Sequence, residues 1–205
     1  MKDIRQVRDS IKAAAAELFV KFGYDKTTLG DIAKRSDKAK TLVYYHFGGK
    51  LDLLKAAVED EFNQIRTRLQ EDRSDVPGQI VKRLALYLED RMELLNDARV
   101  YRKFAVDAML SDAGEVNGAI RKIRGEFDKW EYDYFRHIAE AGRQYGVLSD
   151  AVNPESFGKM VIMLLKGLEV QFFVSDDWAQ SKATYREVLR RLLLGFLSDP
   201  KAIEV

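Results

Sequence analysis

Apolar residues at Ile4, Val7, Ile11, Ala14, Leu18 and Phe22 recur every three or four positions, the spacing that lines one face of an α-helix. This period predicts a first helix ending at about Phe22, with Gly23 placed to cap it. Thr28 followed by Asp31 is a capping box and opens a short helix through about Arg35. "SDKA" at 36–39 reads as a tight turn, and Ala39 to His46 as a third short helix that Gly48-Gly49 breaks. Leu51, Leu54, Val58, Phe62, Ile65 and Leu69 mark a long fourth helix. Pro77 suits the first position of a helix running to about Leu95. Helices over about 98–110 and 116–144 follow. Asn153 as cap and Pro154 as first residue start another, and the last runs from about Gln180 to Leu197. "LVYYHF" has strand-like composition, but no second segment offers itself as its partner. The expected fold is all-α: about nine helices, a three-helix N-terminal head on a helical-bundle body.

Composition narrows the class. With 46% hydrophobic and 33% charged residues and only three prolines among 205, the chain reads as a globular helical protein. It has no cysteine, which removes disulfides, thiolate metal sites and a cysteine nucleophile, and suits a cytoplasmic location. No apolar run near the N-terminus resembles a signal peptide. The most apolar segment, Phe157 to Val174, is interrupted by Lys159, Lys166 and Glu169. It therefore reads as a buried helix of a soluble protein rather than a membrane span.

Charge is unevenly placed. Residues 1–50 hold 11 Lys and Arg against 6 Asp and Glu, a net of +5, whereas the remainder holds 23 against 27, a net of −4. A basic head either meets a polyanion or presents a solvated surface. The motif over about 28–47 favours the first use. A capped short helix, a turn and a second short helix form a helix-turn-helix, whose second helix can enter the major groove with its N-terminal residues against base edges. Lys38 and Lys40 stand at that N-terminus, and Lys50 at the next helix start fits a clamp on backbone phosphate.

The segment "AAAAELFVKFGYDKTTLGDIAKRSDKAKTLVYYHFGGKLDLL", Ala13 to Leu54, resembles the DNA-binding head of the TetR family of bacterial transcriptional repressors. The matching pieces are "LF…FGY" at the end of helix one, "TT…DIA" opening helix two and "YYHF..K" closing the recognition helix, and the resemblance spans roughly residues 4–54. It implies that Thr28 and the amide at its helix start touch phosphate. Lys38, Ala39, Lys40, Thr41 and Leu42 would face the bases, and Tyr44, Tyr45 and Lys50 the DNA backbone. Tyr44 has packing against helix one as its other reading. His46 reads as an orienting hydrogen-bond residue, and Val43 and Phe47 as core of the head. The chain departs from the family in the turn: Asp37, Lys38 and Ala39 replace glycine, a small apolar residue and serine, and Leu42 stands where a small hydroxyl residue is usual. Asp37 tolerates the left-handed conformation, and its side chain is a candidate replacement for the missing serine cap.

Residues 51–205 are expected to serve dimerisation and effector binding, residues 1–50 DNA binding. The helix from Pro154 is apolar nearly all round and needs two surfaces to bury against. Phe157, Val161, Leu164 and Leu168, with Leu189, Leu192, Leu193 and Phe196 of the last helix, are the candidate dimer face, forming a four-helix interface of the family's kind. Phe62, Tyr87, Tyr101, Phe104, Trp130 and Tyr134 line a candidate pocket for a small apolar or aromatic effector, or else are core. Arg91 is a further pocket candidate, and Arg91 and Arg102 are the charge partners envisaged for an acidic effector. The partners expected are a palindromic DNA duplex, a second copy of the chain and an unidentified effector. No cofactor, metal or membrane is expected. Two other classes compete: a helical protein-binding adaptor whose head no longer binds DNA, and an all-α enzyme. The second lacks the Glu-x-x-His pairs of a bundle di-metal site, since only His46 and His137 are present.

Overall fold

The structure, a computed structural model, describes residues 4–70, 79–175 and 177–198. These residues form nine helices: α1 (Ile4–Phe22), α2 (Leu29–Ser36), α3 (Lys40–His46), α4 (Lys50–Gln70), α5 (Ile80–Asp97), α6 (Arg99–Leu110), α7 (Glu115–Gln144), α8 (Pro154–Ser175) and α9 (Trp178–Leu194). Among the described residues the only extended pairing is an isolated bridge between Leu148 and Leu197. Pro77 lies outside the described residues. The last helix starts two residues earlier than its sequence period predicts and stops at Leu194. Its start is drawn forward by Trp178, which is buried edge-on against Phe172 and Tyr185. Leu197, read from sequence as helical, instead makes the bridge. No helix among the described residues is long and apolar enough to cross a membrane.

Two compact units emerge, one of Met1–Gln64 with Ala98–Ile123, the other of Ile65–Asp97 with Arg124–Val205. In the first, α1 ends where Gly23 takes a φ of +81° and donates its amide to the Phe19 carbonyl at 2.9 Å, a conformation strained for any other residue. Ile11, Phe19, Ile32, Val43 and Phe47 are buried together as the small core of the head. Glu61 of α4 supplies what the sequence of α6 lacks. Ala98 offers no side-chain cap, and the Glu61 carboxylate instead accepts the amides of Val100 and Tyr101 at 2.9 and 2.8 Å. Burial pushes that carboxyl above its ordinary range, against the pull of those two amides.

The second unit is organised around charges that have left water. Arg91 of α5 is fully buried; its Nε and Nη2 donate to the two oxygens of Glu131 at 2.6 and 2.9 Å, and Nη2 also reaches Glu169 at 3.3 Å. Arg124 pairs with Glu169 and, at 2.6 Å, with Asp128, which Lys166 holds from the other side at 2.8 Å. Helices α5, α7 and α8 are thus tied by ionic bonds, and Glu169, an oddity within an apolar helix, has its reason. Desolvation opposes the charge on Arg91, yet Glu131 and Glu169 outweigh it and hold the guanidinium's pKa above the usual range.

Breaking one partner of such a pair strands the others in a low dielectric. Arg91→Met is expected to lower the unfolding free energy by about 3–5 kcal/mol, measured as a fall in the urea midpoint. A loss below about 1 kcal/mol would show that water reaches Glu131 and Glu169. Asp128 supplies the pH dependence. Burial raises its pKa, but Arg124 and Lys166 outweigh that and hold it below its ordinary 3.8. Its contribution is therefore present above pH 3.8 and lost as pH falls through the lowered value. Asp128→Asn is expected to flatten the acid limb of the stability curve.

Candidate nucleic-acid interface and effector site

The helix-turn-helix is built by local chemistry. The Thr28 side chain accepts the Asp31 amide at 3.1 Å while Asp31 accepts the Thr28 amide at 3.0 Å, closing the capping box. Those bonds from Thr28 hold the Asp31 carboxyl below its ordinary range. Asp37 ends α2 in the left-handed region at φ 54°, donating its amide to Lys34 and leaving the turn intact without glycine. It does not replace the serine, however: Ala39 is the N-cap of α3, and no side chain caps that helix. The Leu42 amide turns back to the Ala39 carbonyl at 2.9 Å, so the amides of Lys40 and Thr41 are the ones that keep their capacity for an external acceptor.

Val43 is completely buried and Phe47 nearly so, which fixes the rotation of α3. With that face turned inward, Lys40, Thr41, Tyr44 and Tyr45 lie exposed, the tyrosines at 53% and 75%. Such exposure argues against packing as the role of Tyr44, and Lys40 lies over its ring at 6.0 Å. Leu42 is half-buried, and Lys38 is turned back, its ammonium donating to the carbonyls of Ser36 and Asp37. Lys50 is also occupied. Its Nζ donates to the Tyr24 carbonyl at 2.8 Å and sits 4.2 Å from the Tyr24 ring centre. The Tyr24 hydroxyl reaches Glu115 at 3.2 Å, and burial together with that carboxylate pushes its pKa up to about 12. Sequence reasoning missed Tyr24, whose only signal was its place in "FGY".

The residues expected to line an effector pocket fall in both compact units. Phe62, Tyr101 and Phe104 are core of the first unit, with Phe62 edge-on to Tyr101 at 4.7 Å. Arg102 belongs to that unit too. Tyr87, Arg91, Trp130 and Tyr134 belong to the second. There Tyr87 stacks on Tyr134 at 4.4 Å and donates to Glu131 at 2.9 Å, joining the aromatic cluster to the ionic one. Trp130 and Tyr134 remain partly exposed. Missed by sequence was Arg66, whose guanidinium lies 5.7 Å from the ring centres of both Phe127 and Trp130.

The chain is similar to known proteins in sequence and in fold. A sequence model of the family described as "Bacterial regulatory proteins, tetR family" matches residues 11–57. The negative transcriptional regulator IcaR of the biofilm operon icaADBC, from Staphylococcus epidermidis, is 36% identical over 203 residues, covering 93% of this chain and 99% of that one. This chain belongs to the TetR family. It is a DNA-binding transcriptional regulator. The head alone is 47% identical over 47 residues to the regulator QacR of Staphylococcus aureus, covering 23% of this chain and 25% of QacR. The solved SmeT–triclosan complex has the same fold, with a TM-score of 0.74 at 22% identity over 94% of this chain and 92% of that chain.

On the candidate dimer face of this TetR-family regulator, burial divides the expected residues. Phe157, Val161, Leu189 and Leu193 are buried within the second unit, while Leu164, Leu168 and Phe196 are half-buried and Leu192 is exposed. Met160, Met163, Val174 and Val188 add exposed apolar surface, Met163 at 73%. An apolar groove of about 120 Å³ runs between α8 and α9, with Met160, Leu164, Leu192 and Phe196 among its walls.

The occupied state of Lys50 separates two roles by salt dependence. Lys40→Met is expected to weaken binding and to reduce the slope of log affinity for DNA against log salt by up to about 0.9, the value for one cation that neutralises phosphate. Lys50→Met is expected to leave that slope unchanged while lowering the melting temperature. An equal drop in slope for both variants would mean that Lys50 leaves Tyr24 to grip phosphate.

Proposed function

We propose that this regulator binds a palindromic operator as a homodimer in the cytoplasm, represses transcription there, and is released by a small apolar or aromatic effector held in the body. The observation that carries the reading is the rotation of α3. Burial of Val43 and Phe47 leaves Lys40, Thr41, Tyr44 and Tyr45 as one exposed face beside uncapped helical amides. Phosphates and base-edge acceptors are the partners that such a face complements. Ala39 and Leu42 extend it toward the bases, and Thr28 toward the DNA backbone.

Repression is supported by the whole-length likeness to IcaR, a negative transcriptional regulator. The homodimer is supported by the exposed apolar strip of Met160, Met163, Val174 and Leu192, which a monomer would leave in water. An effector is supported by the partly exposed aromatic cluster, and by the triclosan held by SmeT, a protein of the same fold. Release then follows from linkage. An effector that prefers one arrangement of the body shifts the separation of two recognition helices, which a duplex demands be about one helical turn apart.

Selection from random duplexes at low salt is expected to enrich a sequence with two inverted half-sites, and the absence of any enriched duplex would contradict DNA binding. Light scattering is expected to give twice the chain mass of 23.5 kDa. Met163→Asp is expected to halve that mass and abolish tight operator binding, whereas a monomeric wild-type mass at micromolar concentration would remove the dimer.

A further inference from the structure

Charge balance in the second unit points to the chemistry of the effector. The inference rests on the reading that an effector binds the body. Arg91 and Arg124 are matched by Glu131 and Glu169, and Asp128 by Lys166, so this network carries no net charge to offer a ligand. Arg91, the cation that the sequence favoured for an acidic effector, is therefore already spent on carboxylates within the fold.

Arg66 is placed differently. Its guanidinium lies over the faces of Phe127 and Trp130, 5.7 Å from each ring centre, and makes no ion pair with a carboxylate among the described residues. Its Nε is shielded from solvent and has no hydrogen-bond acceptor. A guanidinium so held has lost part of its hydration, and the ring faces do not replace an anionic acceptor. Next to it, Trp130 and Tyr134 lie near parallel, their planes 22° apart, and both reach the surface. A planar ring finds stacking partners there, and a carboxylate on that ring finds a fork of donors.

We propose that Arg66 is the anion-binding residue of this aromatic cluster and that the effector is an aromatic acid.

A matched series tests this on the full-length protein: biphenyl carboxylate, phenylphenol and biphenylmethylammonium, the same ring pair carrying negative, zero and positive charge. Binding is read by quenching of tryptophan fluorescence and by calorimetry. The carboxylate is expected to bind about tenfold tighter than the phenol, with the ammonium weakest. Arg66→Gln is expected to erase the preference for the acid, with a far-ultraviolet circular dichroism spectrum equal to that of the wild type showing that the variant is folded. Arg66→Lys is expected to retain the preference in part. An acid that binds no tighter than the phenol, or a preference that survives Arg66→Gln, overturns the assignment of Arg66 while leaving the effector reading standing. Failure of all three compounds to bind at millimolar concentration, by protein that still shifts its selected duplex, overturns both.

Discussion

Everything functional in the head depends on two side chains being out of water. Val43 stands in a helix of only seven residues and Phe47 is its extended C-cap, and such a helix has no stability of its own. Their burial against the rest of the head both holds α3 in shape and decides which way it faces. Lys40, Thr41, Tyr44 and Tyr45 are then exposed, while Leu42 and His46 are half-buried. The proposed DNA-reading surface is the complement of a packing constraint. Arg8 belongs to the same constraint, its guanidinium lying 4.8 Å from the centre of the Phe47 ring.

In the second unit a comparable part is played by ions. Buried ion pairs are weak contributors to net stability because desolvation offsets most of their attraction, but they are strict about geometry. Bidentate contact from Arg91 to Glu131, with Glu169 shared between Arg91 and Arg124, admits one registration of α5, α7 and α8. An interior fixed in this way can carry aromatic side chains at its edge without collapsing around them. That is the physical basis for the proposed effector-binding face.

Much of the fold was legible because it is written in local signals. The Thr28–Asp31 box, the left-handed Asp37, the Gly23 cap and the Asn153 cap, whose side chain accepts the Ser156 amide at 2.8 Å, need only near neighbours to be recognised. The candidate interface on α3 was legible for the same reason, since period and composition placed Val43 and Phe47 inward. What was not legible depends on long-range pairing. Nothing in the sequence says that Glu61 caps a helix starting at residue 99, or that Arg91 finds its carboxylates 40 and 78 residues away. The candidate dimer stripe shows a related limit. On a helix apolar nearly all round, periodicity identifies two greasy faces without saying which one packs at home, and the structure turns Phe157 and Val161 inward and Met160 and Met163 outward. Lys50 illustrates a third: a lysine at a helix start serves a phosphate or a carbonyl equally well, and here it holds Tyr24.

The central claim is that two copies of α3, oriented by their buried anchors, grip one duplex together. Hydroxyl-radical footprinting of the full-length protein on its selected duplex tests this most directly. The account predicts two protected patches related by a dyad, with centres separated by about one helical turn, roughly 34 Å. A single protected patch, or two patches at a spacing that varies from site to site, would contradict it.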